Sequence, residues 1–248
     1  MTTVIVLGMH RSGTSCLAGS LQTSDLELGE VHTANPHNKK GNRENQAVMD
    51  LHESLLARNG ASWDAPKVTE WDDKHRQMRD AIIESFQEIP LWGFKDPRTC
   101  FTLAGWLEVL PQTKLVGTFR NPKSVAKSLV TRNQGLGSLE DWYQVWEAYN
   151  QRLLHFHRKD AFPIADFDSP DAKYLRSLRA IYQYLELQES AWDCLKSFNL
   201  KGFFAGLGGK GGDVFFDPSL RSNVTTDVEG LPESTVALYR ELQSVAIR

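Results

Sequence analysis

Short apolar runs recur along the chain and are separated by segments with helical spacing. They predict strands over residues 3–8, 91–95, 113–119 and 162–167. Strands that alternate with helices imply a mostly parallel sheet covered on both faces. We therefore expect a P-loop-type three-layer α/β/α fold with a central sheet and helical elaborations.

The segments between these runs carry apolar residues three to four positions apart, which favours helices. In the helix predicted over residues 44–59, the apolar positions are Val48, Leu51, Leu55 and Leu56. Pro122 at a first helical position is a typical helix start. A later stripe of Trp142, Trp146 and Tyr149 is more typical of a buried core than of a ligand platform. The other predicted helices cover residues 13–22, 72–87, 99–110, 122–131, 139–157, 171–187 and 232–245.

Composition and charge argue against some classes of protein but do not indicate a particular function. The chain has 248 residues and a formal net charge of −3, so bulk electrostatics do not predict a nucleic-acid partner. Three separated cysteines lack metal-site spacing, and no apolar run is long enough for a membrane helix. We expect an intracellular, cytoplasmic protein without a transmembrane segment or metal centre. Because the net charge is negative, an anion-binding site in this chain needs positively charged residues that cluster in one place.

A glycine-spaced loop follows the first predicted strand. Gly8 and Gly13 enclose four residues, and a helix follows, which is the arrangement of a phosphate-binding P-loop. Backbone N–H groups and the helix dipole then point at one anion. Thr14 stands where a nucleoside-triphosphate enzyme has lysine, and Arg11 is the cation of the loop, which argues against a kinase. The predicted phosphate-binding residues are His10, Arg11, Ser12, Gly13, Thr14 and Ser15.

A second candidate anion site lies at the end of the third strand. Arg120 closes that strand, and Ser128 follows eight residues later, about two turns into the next helix. An arginine fork and a hydroxyl at this spacing favour the binding of a second phosphate.

With both motifs in place, the chain resembles the bacterial branch of the sulfotransferases that use 3′-phosphoadenosine 5′-phosphosulfate (PAPS). Their first loop, similar to residues 10–15 here, holds the 5′-phosphosulfate, and their arginine and serine, similar to Arg120 and Ser128, hold the 3′-phosphate. The resemblance extends over residues 2 to about 187 of one domain spanning 1–248, and 188–248 match loosely. Cys16 stands where the cytosolic branch stacks tryptophan on adenine, and Lys201 and Lys210 are candidate remnants of its C-terminal motif.

The resemblance implies metal-free in-line displacement at sulfur, with release of 3′,5′-bisphosphoadenosine (PAP). Arg11 is the candidate for stabilising charge on the sulfuryl and bridging oxygens. Lys95, at a strand end, is a candidate second cation. Glu44 is the favoured base, because branches of the family carry a glutamate at a similar distance past the loop. Rival bases are His32, His37 and Asp96.

The acceptor is left open by the sequence. A small molecule, a glycan or a lipid all fit, and the oligomeric state is equally open. Trp63 and Arg132 are candidates for acceptor contacts. The alternatives to a sulfotransferase are a kinase-like phosphotransferase and a non-catalytic nucleotide-binding module, which would keep Arg11 and Arg120 but lack a base.

Overall fold

The computed structural model of the chain contains one four-stranded, fully parallel sheet in the order β2-β1-β3-β4. The strands are β1 (Thr2–Leu7), β2 (Leu91–Lys95), β3 (Thr113–Phe119) and β4 (Ile164–Asp166). β1 lies in the interior of the sheet, where Val4 pairs with Gly93 on one side and with Lys114 on the other. The structure describes residues 2–33, 38, 40–135, 137–187, 215–221 and 223–247.

Helices cover both faces of the sheet. Val4 and Val6 of β1 belong to a core shared with α1 and α7, whereas Ile5 and Leu7 belong to a larger core shared with the other helices. This division follows from the strand period of two, which sends successive side chains to opposite faces. The helices are α1 (Thr14–Gln22), α2 (Gln46–Arg58), α3 (Asp73–Glu84), α4 (Thr99–Leu107), α5 (Pro122–Arg132), α6 (Leu139–Lys159), α7 (Asp171–Leu185) and α8 (Glu233–Val245).

The architecture confirms the predicted three-layer fold, with differences at element ends. β4 begins at Ile164 rather than Phe162, because Pro163 has no N–H to donate to the ladder. α2 begins two residues later than predicted, because Asn45 is its N-cap and accepts a hydrogen bond from the Val48 amide at 3.3 Å. The structure adds a short 3₁₀ turn at Pro218–Leu220 that the sequence analysis did not predict.

The stripe on α6 is core, as the sequence predicted. Trp142, Trp146 and Tyr149 are 5%, 0% and 0% exposed. Two of these side chains also support loops above the sheet: Trp146 Nε1 donates to the Arg120 carbonyl at 3.0 Å, and Tyr149 Oη donates to the Trp63 carbonyl at 2.8 Å. The core thus fixes backbone at the edge where the strands end. In the described part of the chain, no helix is both long and apolar enough to cross a lipid bilayer.

Candidate active site

A cleft of about 680 Å³ opens at the carboxyl edge of the sheet. This is where ligands bind in open parallel α/β sheets, because the loops that leave the strands converge there. The loop after β1, the last residue of β2 and the residue after β3 all contribute to its lining. The lining residues that bear on the chemistry are His10, Arg11, Gly13, Thr14, Ser15, His32, Glu44, Lys95, Arg98, Arg120 and Arg132.

The loop after β1 is tightly packed against its neighbours. Gly8 and Gly13 have φ values of 145° and 83°, which disfavour residues with a Cβ. A Cβ on Gly8 would collide with the Thr118 carbonyl, and one on Gly13 would collide with the Phe167 ring. Arg11 itself adopts a left-handed φ of 65°. The two glycines therefore allow the loop to sit directly on β3 and on the residue after β4.

Arg11 extends from this loop towards the second motif. Its Nε donates to Ser128 Oγ at 2.7 Å, a contact across 117 residues of sequence. Burial, then the positive charges of Arg132 and Arg120, lower the pKa of the Arg11 guanidinium. These neighbouring cations repel one another, so an anion bound among them would be stabilised.

Arg120 is held in place beside the loop. Its Nε donates to Asp168 Oδ1 at 2.9 Å, and Nη1 reaches the Arg11 carbonyl at 3.5 Å. Asp168 Oδ2 also accepts the Asn121 amide at 3.2 Å. The structure therefore brings the two predicted motifs together and adds a contact between them that the sequence did not predict, from Arg11 to Ser128.

The remaining loop residues divide into two groups. His10, Thr14 and Ser15 line the cleft, whereas Ser12 is fully buried and is not among the lining residues. The Ser12 carbonyl accepts a hydrogen bond from Thr118 Oγ1 at 3.0 Å, which ties the loop to β3. Burial, then nearby positive charge led by Arg98, lowers the pKa of His10 well below its ordinary value. The surroundings of His10 therefore favour the neutral imidazole.

Glu44 and Lys95, the candidate base and second cation, form a buried ion pair. Lys95 Nζ donates to Glu44 Oε1 at 2.7 Å, and the two side chains are 2% and 7% exposed respectively. Glu44 does not open α2, as the sequence suggested, but lies two residues before its first residue, Gln46. The Glu44 carbonyl accepts the His32 amide at 3.1 Å. The ion pair with Lys95 and the backbone hydrogen bond to His32 together hold the Glu44 side chain beside the end of β2.

The rival bases occupy different surroundings. His32 lines the cleft, and its Nε2 lies 2.7 Å from Gln46 Oε1. Asp96 is fully buried, is not among the lining residues, and accepts Arg98 Nη1 at 2.6 Å and the Arg98 amide at 2.9 Å. Burial opposes ionisation of Asp96, but a His52 hydrogen bond and Arg98 outweigh it and lower the pKa. His37 lies outside the described residues.

Several residues around the cleft were missed by the sequence analysis. Asp168, the partner of Arg120, stands two residues past β4, and its position after a strand end was an available signal. Phe215 and Arg221 line the cleft from a distant segment that no local pattern connects with it.

The sequence analysis also named residues outside the two motifs. Cys16 lines the cleft, and burial raises the pKa of its thiol to about 11. Lys201 and Lys210 lie outside the described residues.

No metal-binding cluster is present in the portion of the chain that the structure describes. Within it, no three His, Cys, Asp or Glu side chains come together in a way that could hold an ion.

Comparison with known proteins places this architecture in a family. A sequence profile of the sulfotransferase family matches residues 3–192, more than half of the chain. The sulfotransferase domain of the olefin synthase from Synechococcus PCC 7002 is 18% identical, with a TM-score of 0.56, and the match covers 98% of this chain and 94% of that one. The sulfotransferase domain from the curacin biosynthetic pathway is 17% identical, with a TM-score of 0.56 and coverage of 97% and 96%.

A comparison with curated protein sequences finds no significant match. The two solved domains share the fold at low identity, and the profile match spans β1 through α7. The chain belongs to the sulfotransferase family.

Proposed function

We propose that this sulfotransferase takes the sulfuryl group of PAPS, transfers it to an acceptor hydroxyl and releases PAP. The observation that carries this proposal is that Arg11 and Arg120 line one cleft and touch, through the 3.5 Å contact between Arg120 Nη1 and the Arg11 carbonyl. The two guanidinium groups can therefore serve one molecule that carries two separate phosphate groups.

The cleft suits a bisphosphorylated nucleotide because it concentrates positive charge in a chain whose net charge is −3. α1 begins at Thr14, directly behind the loop, so the positive end of its dipole and its first N–H groups face this region. His10 lines the cleft, and its buried Nε2 has no hydrogen-bond partner among the described residues. A phosphate oxygen at the loop would supply an acceptor for the tautomer that carries its proton on Nε2.

Arg11 is the residue proposed to stabilise the transferring group. PAPS supplies a sulfuryl group bonded to the 5′-phosphate, and its transfer breaks that S–O bond while the acceptor oxygen forms a new one. Charge builds on the bridging oxygen as the bond breaks, and a fixed guanidinium there stabilises it. Ser128 Oγ orients Arg11 for this role through their 2.7 Å hydrogen bond. Arg120, fixed by Asp168, is proposed to hold the 3′-phosphate.

Glu44 is proposed to take the proton of the acceptor hydroxyl. Its Oε1 is occupied by Lys95 at 2.7 Å, so Oε2 is the oxygen assigned to the proton. Lys95 fixes the carboxylate and supplies positive charge beside the developing negative charge. Asp96 is a poorer candidate because both of its oxygens accept hydrogen bonds from Arg98 and it does not line the cleft.

Nucleotide binding provides the first test. Calorimetry with PAP, ATP and ADP, each with and without Mg²⁺, should show tight binding of PAP that does not require the metal. Arg11→Ala should abolish transfer of ³⁵S from labelled PAPS in a screen over hydroxyl acceptors. Arg158→Ala is the matched control, because this arginine is 60% exposed and pairs with Glu241 away from the cleft. Binding of ATP alone, or wild-type turnover by Arg11→Ala, would overturn the proposal.

The base is tested separately from the nucleotide site. Glu44→Gln keeps an acceptor oxygen for Lys95 but cannot take a proton, so PAP affinity should persist while turnover stops. Glu84→Gln, an exposed glutamate at the end of α3, is the matched control. Near-normal rates in Glu44→Gln would move the base to His32, His37 or Asp96.

A further inference from the structure

A second cavity of about 550 Å³ lies beside the active-site cleft. Trp63 and Arg132 line both spaces, so these two side chains form the boundary between them. No residue of the phosphate loop lines the second cavity. It is lined by Trp63, Asp64, Arg132, Asn133, Gln134, Gly137, Asp141, Trp142 and Val145.

The apolar part of this wall is rigid. The rings of Trp63 and Trp142 stack with centroids 5.7 Å apart and planes at 14°. The Trp63 carbonyl accepts Tyr149 Oη at 2.8 Å, and the His10 ring packs against the Trp63 indole at 5.1 Å. Trp142 is 5% exposed, and its buried Nε1 has no hydrogen-bond partner in the described part of the chain. The pair offers a preformed surface that ends at the cleft.

Arg132 is the distinctive residue of the boundary. It is half-buried, and its guanidinium lies 5.9 Å from the Trp63 ring centroid. Lys95, Arg98 and Arg120 each have a carboxylate partner between 2.6 and 2.9 Å away. Among the described residues, no Asp or Glu lies within ion-pairing distance of Arg132. After burial, the charge of Arg132 is the next largest cause of the lowered pKa of Arg11.

The two carboxylates that line the second cavity, Asp64 and Asp141, accept hydrogen bonds from nearby serines. Asp141 Oδ2 accepts the Ser138 amide at 2.9 Å as part of the α6 capping box, and Asp64 Oδ1 accepts Ser62 Oγ at 2.6 Å. They would repel an anion placed deep in the cavity, so the favourable position for an oxyanion is at Arg132. Arg132 is also the last residue of α5, where its charge complements the helix dipole. A test has to distinguish this effect on the helix from the binding of an oxyanion.

We propose that the acceptor is an alcohol that also carries an oxyanion, and that Arg132 binds this oxyanion while the acceptor body packs on Trp63, whose ring Trp142 supports by stacking. The acceptor hydroxyl then reaches the cleft past the shared boundary. The guanidinium fork suits a carboxylate or a phosphate, which are the two sources of this chemistry. The assignment rests on the proposed sulfuryl transfer and adds the class of acceptor.

The test measures binding rather than turnover. Protein saturated with PAP is titrated calorimetrically with para-(hydroxymethyl)benzoate and with ω-hydroxyalkanoates of increasing length. Each acid is paired with its methyl ester, and with the corresponding phosphate in place of the carboxylate. A preference for the free acid or the phosphate over the ester, by about 10- to 100-fold, is expected from one charge-assisted contact.

Arg132→Met should bring the acid-to-ester ratio of dissociation constants close to one while weakening PAP binding only slightly, because Arg132 acts on the donor through its charge near Arg11 alone. Arg132→Lys should retain part of the preference. Lys127→Met is the matched control, because it removes one positive charge from the same helix at an exposed position that lines neither cavity. The carboxylate and phosphate arms show which oxyanion is favoured.

The outcomes separate this inference from the proposed function. Failure of PAP to bind the wild-type protein refutes the proposed function in the first titration. With PAP bound, equal affinity for acid and ester, no binding by any oxyanion of the series, or a preference that survives Arg132→Met overturns the acceptor assignment. Loss of PAP affinity in Arg132→Met would assign Arg132 to the donor and overturn it as well.

Discussion

Replacing Lys95 by methionine should destabilise the protein through the charge left on Glu44. The substitution keeps an unbranched side chain of similar length at the end of β2 but removes the ammonium that lies 2.7 Å from Glu44 Oε1. Glu44 is then a 7% exposed carboxylate that has lost its cation. Glu44→Gln creates the opposite situation, with a buried ammonium that faces a neutral amide.

The magnitude follows from burial and distance. Two unit charges 2.7 Å apart attract by about 6 kcal/mol at an effective dielectric constant of about 20. Desolvation of both ions offsets most of this attraction, so the intact pair contributes little net stability. Removing one partner of a buried pair costs about 3–5 kcal/mol. The cleft admits water to the Glu44 side, so we expect about 3 kcal/mol for Lys95→Met.

A double-mutant cycle isolates the pair. The free energy of unfolding in urea is measured for wild type, Lys95→Met, Glu44→Gln and the double variant, by circular dichroism and by tryptophan fluorescence. Coincident transitions establish two-state behaviour. The double variant buries neither charge of this pair and should be more stable than Lys95→Met, with a coupling of about 2–3 kcal/mol. Lys114 and Glu186, 2.9 Å apart with Glu186 84% exposed, form the matched control pair and should couple less.

A coupling below about 0.5 kcal/mol at Lys95 and Glu44 would contradict this reasoning, because it would mean that the two charges are solvated independently. The result would also remove the argument that Lys95 fixes the carboxylate proposed as the base.

Three further predictions address the loop, the second motif and pH. Ser128→Ala removes the acceptor that orients Arg11 and should weaken PAP binding by about tenfold in calorimetry while leaving the urea transition unchanged; unaltered PAP affinity would contradict it. Gly13→Ala puts a methyl group at φ 83° against the Phe167 ring and should lower the free energy of unfolding by about 1–3 kcal/mol, whereas Gly60→Ala, at φ 60° with open space around it, should cost less. Burial raises the pKa of Asp166 to about 6, so the native state binds more protons than the unfolded state between about pH 4 and 6. Stability from this group should fall by about 3 kcal/mol as pH rises through that window, and Asp166→Asn should remove this fall in urea unfolding at a series of pH values; identical pH profiles would contradict the assignment.

The fold was predictable because its signals are local. The apolar runs at 91–95 and 113–119 match β2 and β3 residue for residue. The loop after β1 was predictable for the same reason, since two glycines, a strand and a helix are contiguous in the sequence. The errors at the ends of β4 and α2 came from single residues, Pro163 and Asn45, whose local preference outweighed the apolar pattern.

The contacts within the site were less predictable because they join distant segments. The hydrogen bond that Ser128 accepts from Arg11 was not predicted, and the expectation that Ser128 and Arg120 bind one phosphate stays a prediction. Arg120 pairs with Asp168, 48 residues away. Such pairings depend on how two loops cross above the sheet, and spacing along one loop does not specify them. Glu44 and Lys95 were singled out separately, and only the fold shows that they form one unit.

The interior position of β1 has a consequence for how the protein is made. β1 leaves the ribosome before either of its flanking strands, and its second neighbour, β3, begins at Thr113. At about 5–20 residues per second, translation takes about 5–20 seconds to deliver that partner. Until β2 and then β3 have been made, the backbone of Val4, Ile5, Val6 and Leu7 lacks the partner strands that pair with it in the native sheet. Because β1 pairs only with strands that lie far along the chain, its pairing has a high contact order and forms slowly.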